Sequence, residues 1–193
     1  PLAVVQDKKL QTFKGAGAST VGTVTDAMAG LSYPQFAAPW KLPTKQNKLA
    51  QSGWSGQQIM VTERAGTQLW YGTILSAQVS PVELALLRGS DLKQTTIGVA
   101  TSLENRLYAF KHTSKPIASQ ALTIDGHKGW LVGSYLTYER AGIRAGGEVI
   151  VTAVVNTGRD VPSVLFASVP NTAKTMWPIF NTLISQLKVL PKS

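Results

Sequence analysis

Between Gly146 and Leu190 the alternation of apolar and polar positions is strongest, and it predicts strand, strand, helix. Val149, Val151, Ala153 and Val155 share one face of an extended chain, and Glu148, Ile150, Thr152, Val154 and Asn156 share the other, because side chains alternate along a strand. The first face is wholly apolar and must be covered. Gly158, Asp160 and Pro162 form a turn segment. Ser163 to Val169 then resumes the alternation, with Leu165, Ala167 and Val169 opposed to Val164, Phe166 and Ser168. Beyond Pro170, the residues Met176, Phe180, Leu183, Ile184 and Leu187 recur at three- and four-residue steps. They form one stripe of a helix from about Thr172 to Leu187, able to lie on the apolar face. Pro178 cannot donate to the preceding turn, so this helix starts just before it or kinks there.

The rest of the chain supplies more short elements. Residues 1–18 carry Lys8, Lys9, Lys14 and a Gly-Ala run, and are read as a flexible arm ahead of a single domain over residues 19–193. Val21 and Val24 suggest a short strand. Leu31, Tyr33 and Trp40 suggest a strand and bend that pack on the core, the strand stopping at Pro34. Gln57 to Glu63 and Gln68 to Val79 alternate as a hairpin across Arg64-Ala65-Gly66-Thr67. Ser80-Pro81-Val82-Glu83 is a capping box that opens a short helix, and Arg88-Gly89 ends it. Ser90-Asp91 opens a longer helix with Leu92, Thr96, Val99, Leu103 and Leu107 on one stripe. Phe110 to Ser119 reads as a loop. Ala118 to Ile124 and Gly129 to Glu139 are strands joined across Asp125-Gly126, the signal of a primed turn. The pattern is α+β: one antiparallel sheet of about six strands in near-meander order, flanked by helices.

Composition agrees with one ordinary globular domain: 193 residues, 44% hydrophobic, with 17 glycines and 10 prolines spread as turn punctuation. No apolar run approaches the ~20 residues that span a bilayer. The chain opens Pro1-Leu2-Ala3 without Met, which reads as a trimmed start, with a membrane anchor or signal ahead of Pro1 as the expectation.

The formal charge of +9 suits an anionic partner or surface. Lys41, Lys45 and Lys48 fall in one polar segment, and Arg140 and Arg144 in one glycine-containing linker, and together they are the candidate binding patch. Trp54, between Gly53 and Ser55-Gly56, either folds onto the core or stacks on a sugar or base; the spacing is not that of a nucleophile elbow. Basic residues do not interleave with aromatics as in nucleic-acid binders, so no specific nucleic acid is expected. Absence of cysteine removes disulfides, thiolate metal sites and cysteine nucleophiles. His112 and His127 lie in loops without ligand spacing, and the ten acids are scattered through turns and caps. No catalytic residue, metal or cofactor is expected.

Certain residues carry a family resemblance. Gly30-Leu31-Ser32-Tyr33-Pro34 followed by Pro39-Trp40 resembles the opening motif of PsbP-like domains. Thr123-Ile124-Asp125-Gly126 with Trp130 is similar to their central hairpin, and Leu183-Ile184-Ser185-Gln186-Leu187-Lys188-Val189 to their closing helix and its exit. With Ala29 and Ala167-Ser168-Val169-Pro170, the chain resembles most closely uncharacterised actinobacterial extracytoplasmic domains, LpqN-type lipoprotein relatives. The resemblance covers roughly Ser19 to Val189 and carries no catalytic residues. It implies an antiparallel sheet flanked by helices, and binding or assembly roles such as those of photosystem proteins, Ran-binding proteins and cell-envelope lipoproteins. The functional expectation is a non-catalytic extracytoplasmic domain, membrane-anchored or secreted, that binds a protein or an anionic cell-envelope component. The alternative is a small-molecule or glycan binder, or a weak hydrolase, using a cleft between sheet and helix.

Overall fold

The computed structural model describes residues 5–43 and 47–193. Six antiparallel strands form the main sheet: β3 (Gly56–Ala65), β4 (Gln68–Gln78), β5 (His112–Ile124), β6 (His127–Tyr138), β7 (Gly147–Val155) and β8 (Ser163–Pro170). Their spatial order is β3-β4-β8-β7-β6-β5. The chain thus lays down one hairpin, crosses by α2 (Pro81–Leu86) and α3 (Leu92–Leu107), and returns as a four-strand meander whose last strand docks on β4. A second sheet of three short strands accompanies it, ordered β1 (Thr20–Asp26), β2 (Leu31–Phe36), β9 (Lys188–Val189). A one-turn helix α1 (Lys48–Gln51) precedes β3, and α4 (Ile179–Gln186) precedes β9.

β7 and β8 occupy the middle of the main sheet, and every residue in both is buried. On one face Val149, Val151, Ala153 and Val155, with Leu165, Ala167 and Val169, meet Ile179, Phe180 and Leu183 of α4 and Leu31, Tyr33 and Phe36 of β2. On the other, Ile150, Val154, Val164 and Phe166 meet Val99 and Leu103 of α3 and the rings of Trp54 and Tyr108. The turns follow their chemistry. Asp125 (φ 49) and Gly126 (φ 80) are both left-handed, as a two-residue primed hairpin requires, and the Asp125 carboxylate also accepts the Val189 N–H at 2.9 Å. Asp91 caps α3 in a full capping box with Gln94. At the closing helix, a 3-10 turn (Asn171–Met176) runs up to Trp177, and Pro178 caps a fresh start of α4.

Two expectations are corrected. The segment 110–119 is not a loop, since β5 begins at His112. β5 is an edge strand, where Lys115, Pro116 and a bulge between Pro116 and Ala118 are tolerated and discourage pairing with another chain. Pro34 does not end β2, which continues to Phe36. β9 pairs with β2 only at Leu31 and Ser32, so the missing donor of Pro34 breaks no ladder bond, and its carbonyl accepts Gln58 Nε2 at 2.9 Å. Residues 5–18 are also tied down: Lys8 and Ser119 exchange two backbone bonds at 2.8 Å, Phe13 is buried against Trp177 and Phe180, and Asn181 holds the Phe13 backbone at both N–H and C=O.

Candidate binding sites

Cations gather along the edge strand β3. Lys41 N–H donates to Ile59 O at 2.8 Å and Lys41 O accepts Ile59 N–H at 2.9 Å, which fixes Lys41 on the outer side of the strand. Lys48, exposed, opens α1, and the α1 cap residue Asn47 donates to Gln57 at 2.8 Å. Four residues beyond Ile59, roughly 13 Å along the strand, the buried Glu63 carboxylate accepts the N–H groups of Arg144 and of Ala145 (3.2 Å), with Arg144 Nε at 3.5 Å. Burial alone would raise the Glu63 pKa, but these backbone donors and the Arg144 charge outweigh it and hold the carboxyl below its ordinary value. Glu63 thereby pins the linker that carries Arg144, whose side chain is 82% exposed. Arg64, exposed, ends the row. Arg140 stacks 4.5 Å over Phe110 and 6.0 Å over Trp70, and Trp70 is the register partner of Glu63. Lys45 lies outside the described residues. The structure therefore places Lys41, Lys48 and Arg144 beside β3 and adds Arg64 to them, while Arg140 lies over the Phe110 and Trp70 rings.

Trp54 does not belong to this surface. Gly53, at φ 96, turns the chain inward, and the ring is buried against Phe166 with centroids 6.4 Å apart. It is a core residue and not a stacking platform.

Polar chemistry concentrates on the α3 face of the main sheet. Glu148, the first inward side chain of β7 on that face, is 1% exposed. Its two oxygens accept Tyr138 OH at 2.8 Å and Tyr108 OH at 2.6 Å. Trp70 Nε1 in turn donates to Tyr138 OH at 2.9 Å. Burial pushes the Glu148 carboxyl up from its usual range, more than the tyrosine bonds lower it, and both tyrosines are pushed up by burial and by the neighbouring carboxylate. A cavity of about 140 Å³ opens beside this carboxyl, lined by Leu49, Trp70, Tyr71, Tyr108 and Phe166 over a floor that includes Thr73 and Ser168, whose hydroxyls meet at 2.8 Å.

A second cavity, of about 260 Å³, lies under α3 against β5, β6 and β7, between Ile97, Ala100 and Glu104 above and Val132, Ile150 and Thr152 below. At its rim the Glu104 carboxylate accepts Ser114 Oγ at 3.1 Å and pairs with His112 Nε2 at 2.8 Å, while His112 Nδ1 meets Phe110 O at 2.8 Å. The expectation of a loop histidine without a carboxylate partner is corrected for His112. The pair joins a helix to the start of a strand, and no local spacing announces it. Burial lowers the His112 pKa, but the Phe110 carbonyl and Glu104 outweigh it, and the net shift is upward. Serine and histidine contact different oxygens of Glu104, so they do not form a nucleophile–base pair. Among the described residues no three His, Asp or Glu side chains are grouped to hold a metal.

Of these buried acids, Glu148 had a visible signal: it is the one charged residue in the apolar run from Gly147 to Val155. Asp26 forms another buried node, accepting Ser55 Oγ at 2.7 Å, Ser76 Oγ at 2.6 Å and Ala29 N–H at 3.1 Å. It ties the small sheet to the large one.

The chain was compared with known proteins. No family model matches it, and no curated protein matches it in sequence. Solved structures do match. The solution structure of cyanobacterial PsbP (CyanoP) from Synechocystis sp. PCC 6803 superposes with a TM-score of 0.54 at 13% identity, over 93% of this chain and 98% of that one. The Saccharomyces cerevisiae Ran-binding protein Mog1p superposes with a TM-score of 0.56 at 13% identity, over 90% and 97%. The fold is PsbP-like. A Mog1 point mutant gives 0.54 at 12% identity over 84% of this chain and 92% of its own. In the PsbP-like fold of this chain, the basic fringe lies on the β3 edge and the acid-lined cavities lie under α3.

Proposed function

We propose that this chain is a non-catalytic extracytoplasmic binding domain, akin to LpqN-type lipoproteins, that docks an anionic cell-envelope partner along its β3 edge. The observation that carries the reading is the row of cations along one strand edge: Lys48, Lys41 and Arg144 beside β3 and Arg64 on it. Exposed charges on a common edge attract an extended anion at long range and give it a direction. That a neighbour of the same fold is a Ran-binding protein supports a role in binding.

The test is binding to anionic vesicles and to anionic wall polymer across ionic strength. Affinity falls steeply from low to physiological salt, because charges beyond ~8 Å are screened there. The triple change Lys41→Glu, Lys48→Glu, Arg64→Glu abolishes binding and leaves the melting temperature nearly unchanged, since exposed charges contribute little to stability. Salt-independent binding, or full binding by the triple variant, overturns the reading. A small-molecule role is favoured by a separate observation, the cavities under α3.

A further inference from the structure

We propose that the cavity beside Glu148 binds a small organic ammonium ion of the choline class. Three observations converge on it. First, Glu148 is a buried carboxyl without a counter-charge, because none of the ion pairs among the described residues includes it. Removing a carboxylate from water is costly unless it is paired, and two tyrosine hydroxyls are dipoles, not charges. Each carboxylate oxygen accepts one tyrosine O–H, and Ser168 and Trp70 add further neutral donors, so the carboxyl is surrounded by dipoles and lacks a cation.

Second, the cavity that reaches this carboxyl is walled by aromatic rings, Trp70, Tyr71, Tyr108 and Phe166. Ring faces attract cations, tryptophan most strongly, and an aromatic cage is the usual receptor for alkylated ammonium. The same cluster already holds a cation on its far members, the Arg140 guanidinium over Phe110 and Trp70. Third, size selects the ligand. About 140 Å³ is close to the ~150 Å³ of a cavity that admits benzene, which suits a tetraalkylammonium head. A metal ion is disfavoured by the donor set, one carboxylate and hydroxyls, with no metal-ligand group among the described residues. The +9 charge of the chain opposes a cation at long range, and burial of Glu148 works against that by keeping its attraction unscreened. The cavity adjoins the β3 edge through Leu49 and Trp70, but it takes a cation where the edge takes an anion, so either can fail without the other.

The experiment is calorimetric titration of the whole chain with choline and with dimethylbutanol, the uncharged carbon isostere of choline. Choline binds and the isostere does not. Thr73→Leu fills the floor of the cavity while leaving Glu148 in place, and Glu148→Gln removes the charge. Each weakens choline binding at least about tenfold, and Thr73→Leu keeps the test valid if Glu148→Gln does not fold. Flotation with phosphatidylcholine vesicles, competed by free choline, separates the sources: capture on vesicles points to a lipid headgroup, and choline binding without capture points to a free solute. Equal binding of the isostere, unchanged affinity in Thr73→Leu, or no choline binding overturns the proposal.

Discussion

The two faces of the main sheet are built from the same strands and differ in what they hide. Under α4 and the small sheet, Val149, Val151, Leu165 and Ala167 close against Phe180 and Leu183 and leave a cavity of about 10 Å³, at the limit for one water. Under α3 the alternate residues of the same strands include Glu148, Thr152 and Ser168, all buried, and cavities of about 260 and 140 Å³ remain. A stripe of branched apolar residues packs to crystal density. A helix laid on a face that alternates apolar with polar cannot, and space is left where hydroxyls and carboxyls need partners. Tight apolar packing thereby marks one face, with the buried Asp26 node at its edge, and open cavities mark the other.

The largest expected effect breaks the sealed face. Phe180→Ala removes a ring that is 1% exposed and cannot be replaced by a small shift of α4, so it costs ~3 to 5 kcal/mol. No titratable group is removed, and the loss in denaturant midpoint is the same at pH 5 and pH 8. An unchanged midpoint would mean that α4 does not close this face.

The α3 face answers differently, because its variants respond to pH. The Glu148 pKa is raised in the folded state above the ordinary 4.5, so the folded chain holds the proton more tightly than the unfolded one. Stability therefore falls as pH rises from about 4.5 through the folded pKa. Glu148→Gln cannot ionise and abolishes that slope. It also disturbs the bonds to Tyr108 and Tyr138, costing ~1 to 3 kcal/mol at low pH, and the deficit against the parent shrinks as pH rises. A deficit that grows with pH would show that the Glu148 pKa is not raised on folding.

These two faces were not equally legible. The sealed face could be read from the periodic stripes of β7, β8 and α4, except that the expected helix from about Thr172 is a 3-10 run before Pro178 and α4 spans only Ile179–Gln186. The Asp125-Gly126 turn and the Asp91 cap were legible for the same reason: their chemistry is local. The α3 face was not, since Tyr108 and Tyr138 reach Glu148 across 40 and 10 residues, and Glu104 meets His112 only because α3 ends above β5. Trp54 shows the limit on exposure: flanking glycines say that the chain can turn, not which way the ring goes. The basic fringe was half legible. The lysine and arginine groups were visible, but their common edge depends on Lys41 joining Ile59 and on Glu63 holding the Arg144 linker.

A smaller effect tests the hinge between strands that serve both faces. Gly126, with φ 80, closes the β5–β6 hairpin, and a β-branched residue there is strained by ~1 to 3 kcal/mol. Gly126→Val is destabilised by that amount, while Gly126→Asn, which tolerates positive φ, loses little. Equal melting temperatures for the two variants would place the strain elsewhere.

The smallest effect sharpens the comparison at the rim of the larger cavity. His112 has an acceptor at each ring nitrogen, Phe110 O at Nδ1 and Glu104 at Nε2, both at 2.8 Å, and only the imidazolium donates to both. Its folded-state pKa is accordingly above the ordinary 6.5 despite burial. A histidine raised on folding adds stability that is complete below about 6.5 and is lost as pH rises through the folded value. With side chains 13% and 18% exposed, the pair is partly shielded, and its contribution is about 1 kcal/mol. His112→Gln therefore melts below the parent at pH 5.5 and converges with it as pH rises through the folded-state value, the same convergence as Glu104→Gln, while Phe180→Ala keeps its deficit throughout. A pH-independent deficit in His112→Gln would assign the ring to packing against Tyr108 and Phe110, 6.2 and 6.0 Å away, and would leave Glu148 as the one pH-responsive group argued for this face.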